Sequence, residues 1–205
     1  MKKQNTPDVK ERILQVAREL FVKHGYDGTS VRDIATASGT NVAHITYYFQ
    51  SKYNLFEIIF EEAFTVVVSR VFPIWNSDLP LREMVKAWVD TYYELLPRYP
   101  YLPLFILNEI NHNYQGRLIK IIKGYNPREI FEKISAKIEH EISQGSIREI
   151  SPADFILDLV SLSVFPFAFG LLVTRVADIP QEEYNEILQR HKSHVTNLLL
   201  GSLEP

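Results

Sequence analysis

Residues 28–52 read GTSVRDIATASGTNVAHITYYFQSK. Ser30 opens a short apolar period of Val31, Ile34 and Ala35, and Asp33 follows it by three positions, the spacing of a capping box. After Ala37 the stretch Ser38-Gly39-Thr40 interrupts the period. Asn41 then caps a second run, to about Tyr48, in which Val42, Ile45 and Phe49 recur at steps of three and four. Two helices of about two turns, joined by a tight turn containing glycine, form a helix-turn-helix. On the second helix Val42, Ile45 and Phe49 face the first two helices, whereas Asn41, His44 and Tyr47 face away from that core.

Working outward, Thr6-Pro7-Asp8 reads as a helix start, with a hydroxyl cap, a proline in the first turn and an acid near the positive end of the dipole. Val9, Ile13, Ala17 and Leu20/Phe21 then repeat at helical spacing until His24-Gly25 ends the run. On the other side, Ser51 caps a fourth helix that begins with Lys52. Helix-start amides beside an ammonium group suit a phosphate. The outward face of residues 41–48 is the one that a second helix presents to a major groove, where amide and imidazole groups bond base edges and tyrosine hydroxyls reach phosphates.

The whole chain has 205 residues, 46% of them apolar, with 22 basic and 25 acidic side chains, a net charge of −3 and no cysteine. That composition excludes a disordered chain, a disulfide framework and cysteine-ligated zinc. The charge is unevenly placed. Residues 1–55 hold eight Lys/Arg and five Asp/Glu, a net of +3, and residues 56–205 carry a net of −6. Proline divides the chain similarly, since after Pro7 none appears before Pro73. We therefore expect a DNA-binding domain over 1–55 and a larger helical domain over 56–205.

The segment from Thr6 to about Phe60 resembles the DNA-binding domain of TetR-family transcriptional regulators. The resemblance is carried by Ala17 with Leu20-Phe21, Gly25-Tyr26, Gly28-Thr29-Ser30-Val31-Arg32-Asp33-Ile34-Ala35, Gly39, and Ile45-Thr46-Tyr47-Tyr48-Phe49-Gln50-Ser51-Lys52 before Leu55-Phe56. It implies that Arg32, Asn41, Val42 and His44 lie at or near base edges and that Thr29, Tyr47, Tyr48 and Lys52 hold phosphates. Thr46 stands where many members have a tyrosine that contacts the DNA backbone, and part of that task passes to Tyr47.

Downstream, helical periods cover residues 79–96, 104–112, 127–144, 151–176 and 180–200, and no stretch alternates long enough for a strand. The expected fold class is all-α, a three-helix helix-turn-helix domain followed by a helical ligand-binding and dimerisation domain. In the resemblance this second part encloses a small-molecule effector. Trp88, Tyr92, Phe105, Asn108 and His112 are the candidate lining, with Trp75, Tyr93 and Tyr101 further aromatic candidates, because such pockets are mostly apolar with a few orienting polar groups. The last two helices carry more apolar residues than one buried face needs, and by resemblance they pair with a second copy.

Residues 159–173 are uncharged but fall short of the roughly 20 residues of a membrane-spanning helix, so a core or interface helix is expected there. Pro166 should kink it. No secretory signal is read at the start, and a cytoplasmic location is expected. No nucleotide loop, nucleophile elbow or HExxH pattern occurs, and His191/His194, without a third ligand nearby, are read as solvated rather than metal-binding. No cofactor, metal or catalytic group is therefore expected. The function expected is a homodimeric repressor released from a palindromic DNA operator by a small apolar or aromatic effector. The competing readings are a DNA-binding dimer controlled by a protein partner, and a helical enzyme or carrier that binds no DNA.

Overall fold

The computed structural model describes residues 8–100, 102–112 and 117–205. Among these it is built of helices: α1 Val9–His24, α2 Val31–Ala37, α3 Val42–Phe49, α4 Lys52–Trp75, α5 Leu81–Leu95, a 3-10 turn Leu96–Arg98, α6 Leu102–His112, α7 Arg117–Gly124, α8 Pro127–Ser143, α9 Pro152–Val176 and α10 Gln181–Gly201. They fall into two compact units, Met1–Ala63 and Phe64–Pro205, with the break inside α4. The sequence division at Leu55 lies earlier than this break.

In the first unit, Ile13, Ala17 and Phe21 of α1 are fully buried, as are Ile34 of α2 and Leu55 of α4, while Ile45 and Phe49 of α3 are nearly so. All but Leu55 are stripe positions of the sequence. Burying the isoleucine, leucine and phenylalanine side chains contributes about 1.5–3 kcal/mol each relative to exposure. Helix α1 starts at Val9, with Asp8 at its N-cap but making no side-chain cap bond. The expected cap Thr6 and first-turn Pro7 lie outside the described residues. Gly25 ends α1 at φ 73, a left-handed backbone angle that disfavours a residue with a Cβ.

The second unit is organised around α5. Its Leu81, Met84, Val85, Trp88, Val89, Tyr93 and Leu95 are buried, and it packs on α9 and α10. Polar ties fix its start. The Leu81 N–H donates to Glu141 of α8 at 2.9 Å, and Arg82 donates to the carbonyls of Leu200 and Leu203 at 3.4 and 3.3 Å. Helix α7 was not foreseen from the sequence.

Helix α9 runs 25 residues with Pro166 inside it. It is long and apolar enough to cross a membrane by length and composition, which the uncharged core alone is not, because the helix extends past Asp158 and Arg175. Only 24% of its most apolar window is buried. Pro166 removes one N–H donor, but its carbonyl is used: the Tyr184 hydroxyl of α10 donates to it at 2.7 Å. The Tyr184 ring lies against Gly170, where a Cβ would come within 2.5 Å of ring carbon Cε1.

Candidate nucleic-acid interface

Helix α2 begins as its sequence demands. The Asp33 N–H donates to Ser30 Oγ at 3.1 Å and the Ser30 N–H returns to Asp33 Oδ2 at 2.9 Å. The hydrogen bonds from Ser30, side chain first and backbone second, hold the Asp33 carboxyl below its ordinary pKa. Arg32 stands exposed on this first turn. After Ala37 the chain turns through Gly39 at φ 63, and Asn41 Oδ1 accepts the His44 N–H at 2.9 Å to start α3. A cap of this kind contributes about 1 kcal/mol.

The turn chemistry thus sets which side chains α3 can present. Ile45 and Phe49 are buried beneath it, while Asn41, Val42, Ala43, His44 and Tyr47 are exposed. Tyr47 is 79% exposed. Tyr48 is half-buried, its ring 5.1 Å from that of Tyr47. Val42, which the period placed on the core stripe, is exposed instead because it is the first helical residue and has no turn before it. The Thr46 hydroxyl donates back to the Val42 carbonyl at 3.2 Å, a bond internal to its own helix.

Three of the expected side chains make bonds within the protein. Thr29 is 1% exposed, and its hydroxyl donates inward to the Gly25 carbonyl at 2.8 Å, with Leu20 O a second acceptor at 3.2 Å. It closes the corner between α1 and α2, so its side chain is not turned outward to a phosphate. Lys52 is also committed. Its ammonium group donates to the carbonyls of Tyr26 and Thr29 at 2.9 and 3.0 Å and lies 3.9 Å from the centre of the Tyr26 ring. Asn41 spends its amide oxygen on the cap, leaving the amide NH2 as its outward group. Sequence spacing named the Asn41 cap but not the backbone carbonyls that Thr29 and Lys52 reach, which only the folded corner brings together.

In the second unit, Trp75, Trp88 and Tyr92 form one aromatic cluster. Trp75 and Trp88 meet edge to face at 4.3 Å, and Trp88 and Tyr92 lie 4.8 Å apart. Burial raises the pKa of the Tyr92 phenol. Phe105 is buried on α6. The side chains of Asn108 and His112, like all of Tyr101, lie outside the described residues. Tyr93 belongs to another group: its hydroxyl is 2.6 Å from His191 Nδ1, and its ring is 5.0 Å from that of Phe167. His191 is therefore a half-buried, bonded residue rather than a solvated one. No group of three potential metal ligands occurs among the described residues.

Three buried polar atoms escaped sequence reasoning. Trp88 Nε1, Ser135 Oγ and Ser163 Oγ have no hydrogen-bond partner among the described residues. They come from α5, α8 and α9. Nothing in a helical period marks a serine as unpaired.

The chain matches known proteins along most of its length. Residues 13–59 match the family of bacterial regulatory proteins called the tetR family. A protein of Bacillus subtilis (strain 168) described as a probable HTH-type transcriptional regulator, YttP, is 30% identical over 182 residues, 85% of each chain. The HTH-type transcriptional repressor KstR2 of Rhodococcus jostii (strain RHA1) is 26% identical over 136 residues, 66% of each. Among solved structures, AibR in complex with isovaleryl coenzyme A and operator DNA superimposes with a TM-score of 0.61 at 16% identity, covering 93% of this chain and 97% of that one. Its likeness is one of fold. With the exposed face of α3 set by the turn before it, and relatives that are regulators rather than enzymes, the chain belongs to the TetR family of DNA-binding transcriptional regulators.

Proposed function

We propose that the protein is a homodimeric repressor that leaves a palindromic operator when a small apolar or aromatic effector binds its second domain. The two domains are those of residues 1–55 and 56–205. The observation that carries the reading is the exposed face of α3. Asn41, Val42 and His44 are exposed for base edges, exposed Tyr47 and half-buried Tyr48 serve phosphates, and Arg32 adds a cation from the start of α2. In a dimer, two such helices enter successive major grooves about 34 Å apart.

Self-association is supported by α9. Leu157, Phe165, Phe169, Leu172 and Val176 are exposed there, Phe165 by 59%. An apolar surface of this kind is covered in a soluble regulator by a partner, and a second copy covers it symmetrically. Cytoplasmic residence accords with work on DNA.

The effector reading is supported by the Trp75, Trp88 and Tyr92 cluster and by the unpaired Trp88 Nε1 and Ser163 Oγ in the same unit. Phe105, Asn108 and His112 on α6 remain candidates for the same lining. A bound small molecule in one structural relative, AibR with isovaleryl coenzyme A, is consistent with this use of the fold. Repression accords with the name of KstR2. An effector that binds the non-operator conformation more tightly lowers DNA affinity by the ratio of its two affinities.

Binding-site selection with the purified full chain tests this reading. The expected result is a palindromic duplex bound with a steep inverse dependence on salt. Absence of salt-dependent binding to any duplex would overturn it. DNA binding that responds to no small molecule, but to a captured protein, would identify a partner-controlled regulator.

A further inference from the structure

Three buried polar atoms of the second unit have no hydrogen-bond partner among the described residues: Trp88 Nε1 on α5, Ser135 Oγ on α8 and Ser163 Oγ on α9. Trp88 is 4% exposed and Ser163 not at all. Ser163 interrupts an apolar stripe, because Leu159 and Phe167, one helical turn to either side, are buried with it. Ser135 likewise stands beside buried Ile134 and Ile138. An unbonded polar atom in such surroundings costs stability.

The helix connections bring the three atoms to one level. Helices α8 and α9 pack together and are joined by residues 144–151, so they run antiparallel. Helix α5 starts where the Leu81 N–H donates to Glu141 near the end of α8, and its Tyr93 ring meets that of Phe167 on α9 at 5.0 Å, so α5 and α9 run in the same direction. At the rise of an α-helix, Trp88 lies roughly 10 Å along α5 from the Leu81–Glu141 bond, and Ser135 lies roughly 9 Å back along α8 from it. Counted from the Tyr93–Phe167 contact instead, Trp88 is roughly 7 Å and Ser163 roughly 6 Å down their helices. Trp75 and Tyr92, whose rings are 4.3 and 4.8 Å from that of Trp88, give this level an aromatic wall. Burial raises the pKa of the Tyr92 phenol, as surroundings of low polarity do.

Resting on the reading of the second domain as the effector-binding one, we infer that Trp88, Ser135 and Ser163 form the polar end of that site and select an uncharged effector: an apolar or aromatic body carrying a carbonyl oxygen, as in a ketone, ester or amide. An indole N–H only donates, and a serine hydroxyl can donate, so the three groups together call for an acceptor. A carbonyl oxygen has two lone pairs for two of them, and the second oxygen of an ester serves the third. No Asp, Glu, Lys, Arg or His among the described residues is buried. A carboxylate or phosphate would therefore meet no buried cation at this level, and an ammonium group no buried anion. The competing occupant is an ordered interior water, which would satisfy the same three atoms.

Equilibrium dialysis of the full-length protein without DNA provides the test. The probes are three small molecules of equal size, acetophenone, isopropylbenzene and benzoate, and a larger pair, benzophenone and 1,1-diphenylethane. We expect at least one of the two ketones to bind about tenfold more tightly than its matched hydrocarbon, the effect of one hydrogen bond, and benzoate to bind more weakly than acetophenone. Ser163→Ala and Trp88→Phe should each reduce the ketone preference severalfold, and Ser163→Ala should leave hydrocarbon affinity unchanged. Without a probe, Ser163→Ala should melt no lower than wild type, because it removes an unbonded hydroxyl. A lower melting temperature with the ketone preference intact identifies an interior water and overturns the inference. Equal affinity for ketone and hydrocarbon in both sizes, a preference for benzoate, or no binding of any probe at millimolar concentration also overturns it. Should Trp88→Phe not fold, Ser163→Ala and Ser135→Ala decide by the same criteria. Failure of the regulator reading is distinct: a ketone that binds but does not release the selected duplex refutes that reading alone, whereas release by a charged compound only keeps it and refutes the uncharged effector.

Discussion

The Tyr93 hydroxyl and His191 Nδ1 stand 2.6 Å apart, tying α5 to α10 within the second unit. Burial, and next the neighbouring His194, lower the pKa of His191, whose ordinary value is 6.5. A neutral ring can accept the tyrosine proton at Nδ1, whereas a doubly protonated ring cannot.

A pH dependence follows from that pair. A base whose folded-state pKa is depressed binds its proton more readily when unfolded. Its contribution to stability is therefore complete above about 6.5 and is lost as pH falls through the lower folded value. Thermal melts between pH 8 and pH 5 should show this decline in wild type and a smaller one in His191→Gln. Equal slopes in the two proteins would remove His191 as the cause.

His44→Ala should reduce operator affinity by about 1–3 kcal/mol, concentrated at one base-pair position, because His44 is exposed on α3 and carries no counterion-releasing charge in its neutral form. Competition binding with single-base operator variants measures it. A loss spread evenly over all sequences would assign His44 to the DNA backbone.

Thr29→Val keeps the shape of the buried side chain but removes the donor to Gly25 O. We expect a destabilisation of about 1 kcal/mol in denaturant titrations. The salt slope of DNA binding should stay at the wild-type value, since the hydroxyl faces inward.

Phe165→Glu should convert the protein to a monomer, as read by sedimentation equilibrium. Phe165 is exposed on α9 beside Phe169, with stacked rings 5.4 Å apart, and a symmetric pairing would bring like charges together in a desolvated seam. An unchanged dimer would place the interface elsewhere.

Gly170→Ala should cost about 1–3 kcal/mol, because the new methyl meets the Tyr184 ring, which the hydroxyl bond to Pro166 O holds in place. Calorimetry of the single variant, and of Gly170→Ala combined with Tyr184→Ala, measures it. The second substitution should relieve most of the overlap.

The first unit was largely legible because its signals are local. The Ser30 and Asp33 box, the Asn41 cap and the glycines at 25 and 39 act over three or four residues, and each forms the bond or turn that its spacing requires. The period of α3 likewise named Ile45 and Phe49 as buried and left His44 and Tyr47 outside. It failed at Val42, where a helix has only just begun. Cap and stripe rules name a donor and an approximate face, but they do not say which distant carbonyl lies within reach.

Residue order by itself determined an all-helical chain, a helix-turn-helix near its start, a basic first part and an acidic remainder. Those follow from hydrophobic periods, caps and charge counts, which need only neighbours in sequence. Tertiary structure alone decided what the polar groups bind. It turned Thr29 inward and seated Lys52 on Tyr26 across 26 positions of chain. It paired Tyr93 with His191 over 98 positions and used the carbonyl of Pro166 for Tyr184. The physical reason is that a hydrogen bond requires its partners within about 3 Å and in line, a condition fixed by how helices pack and not by how far apart their residues stand in the sequence.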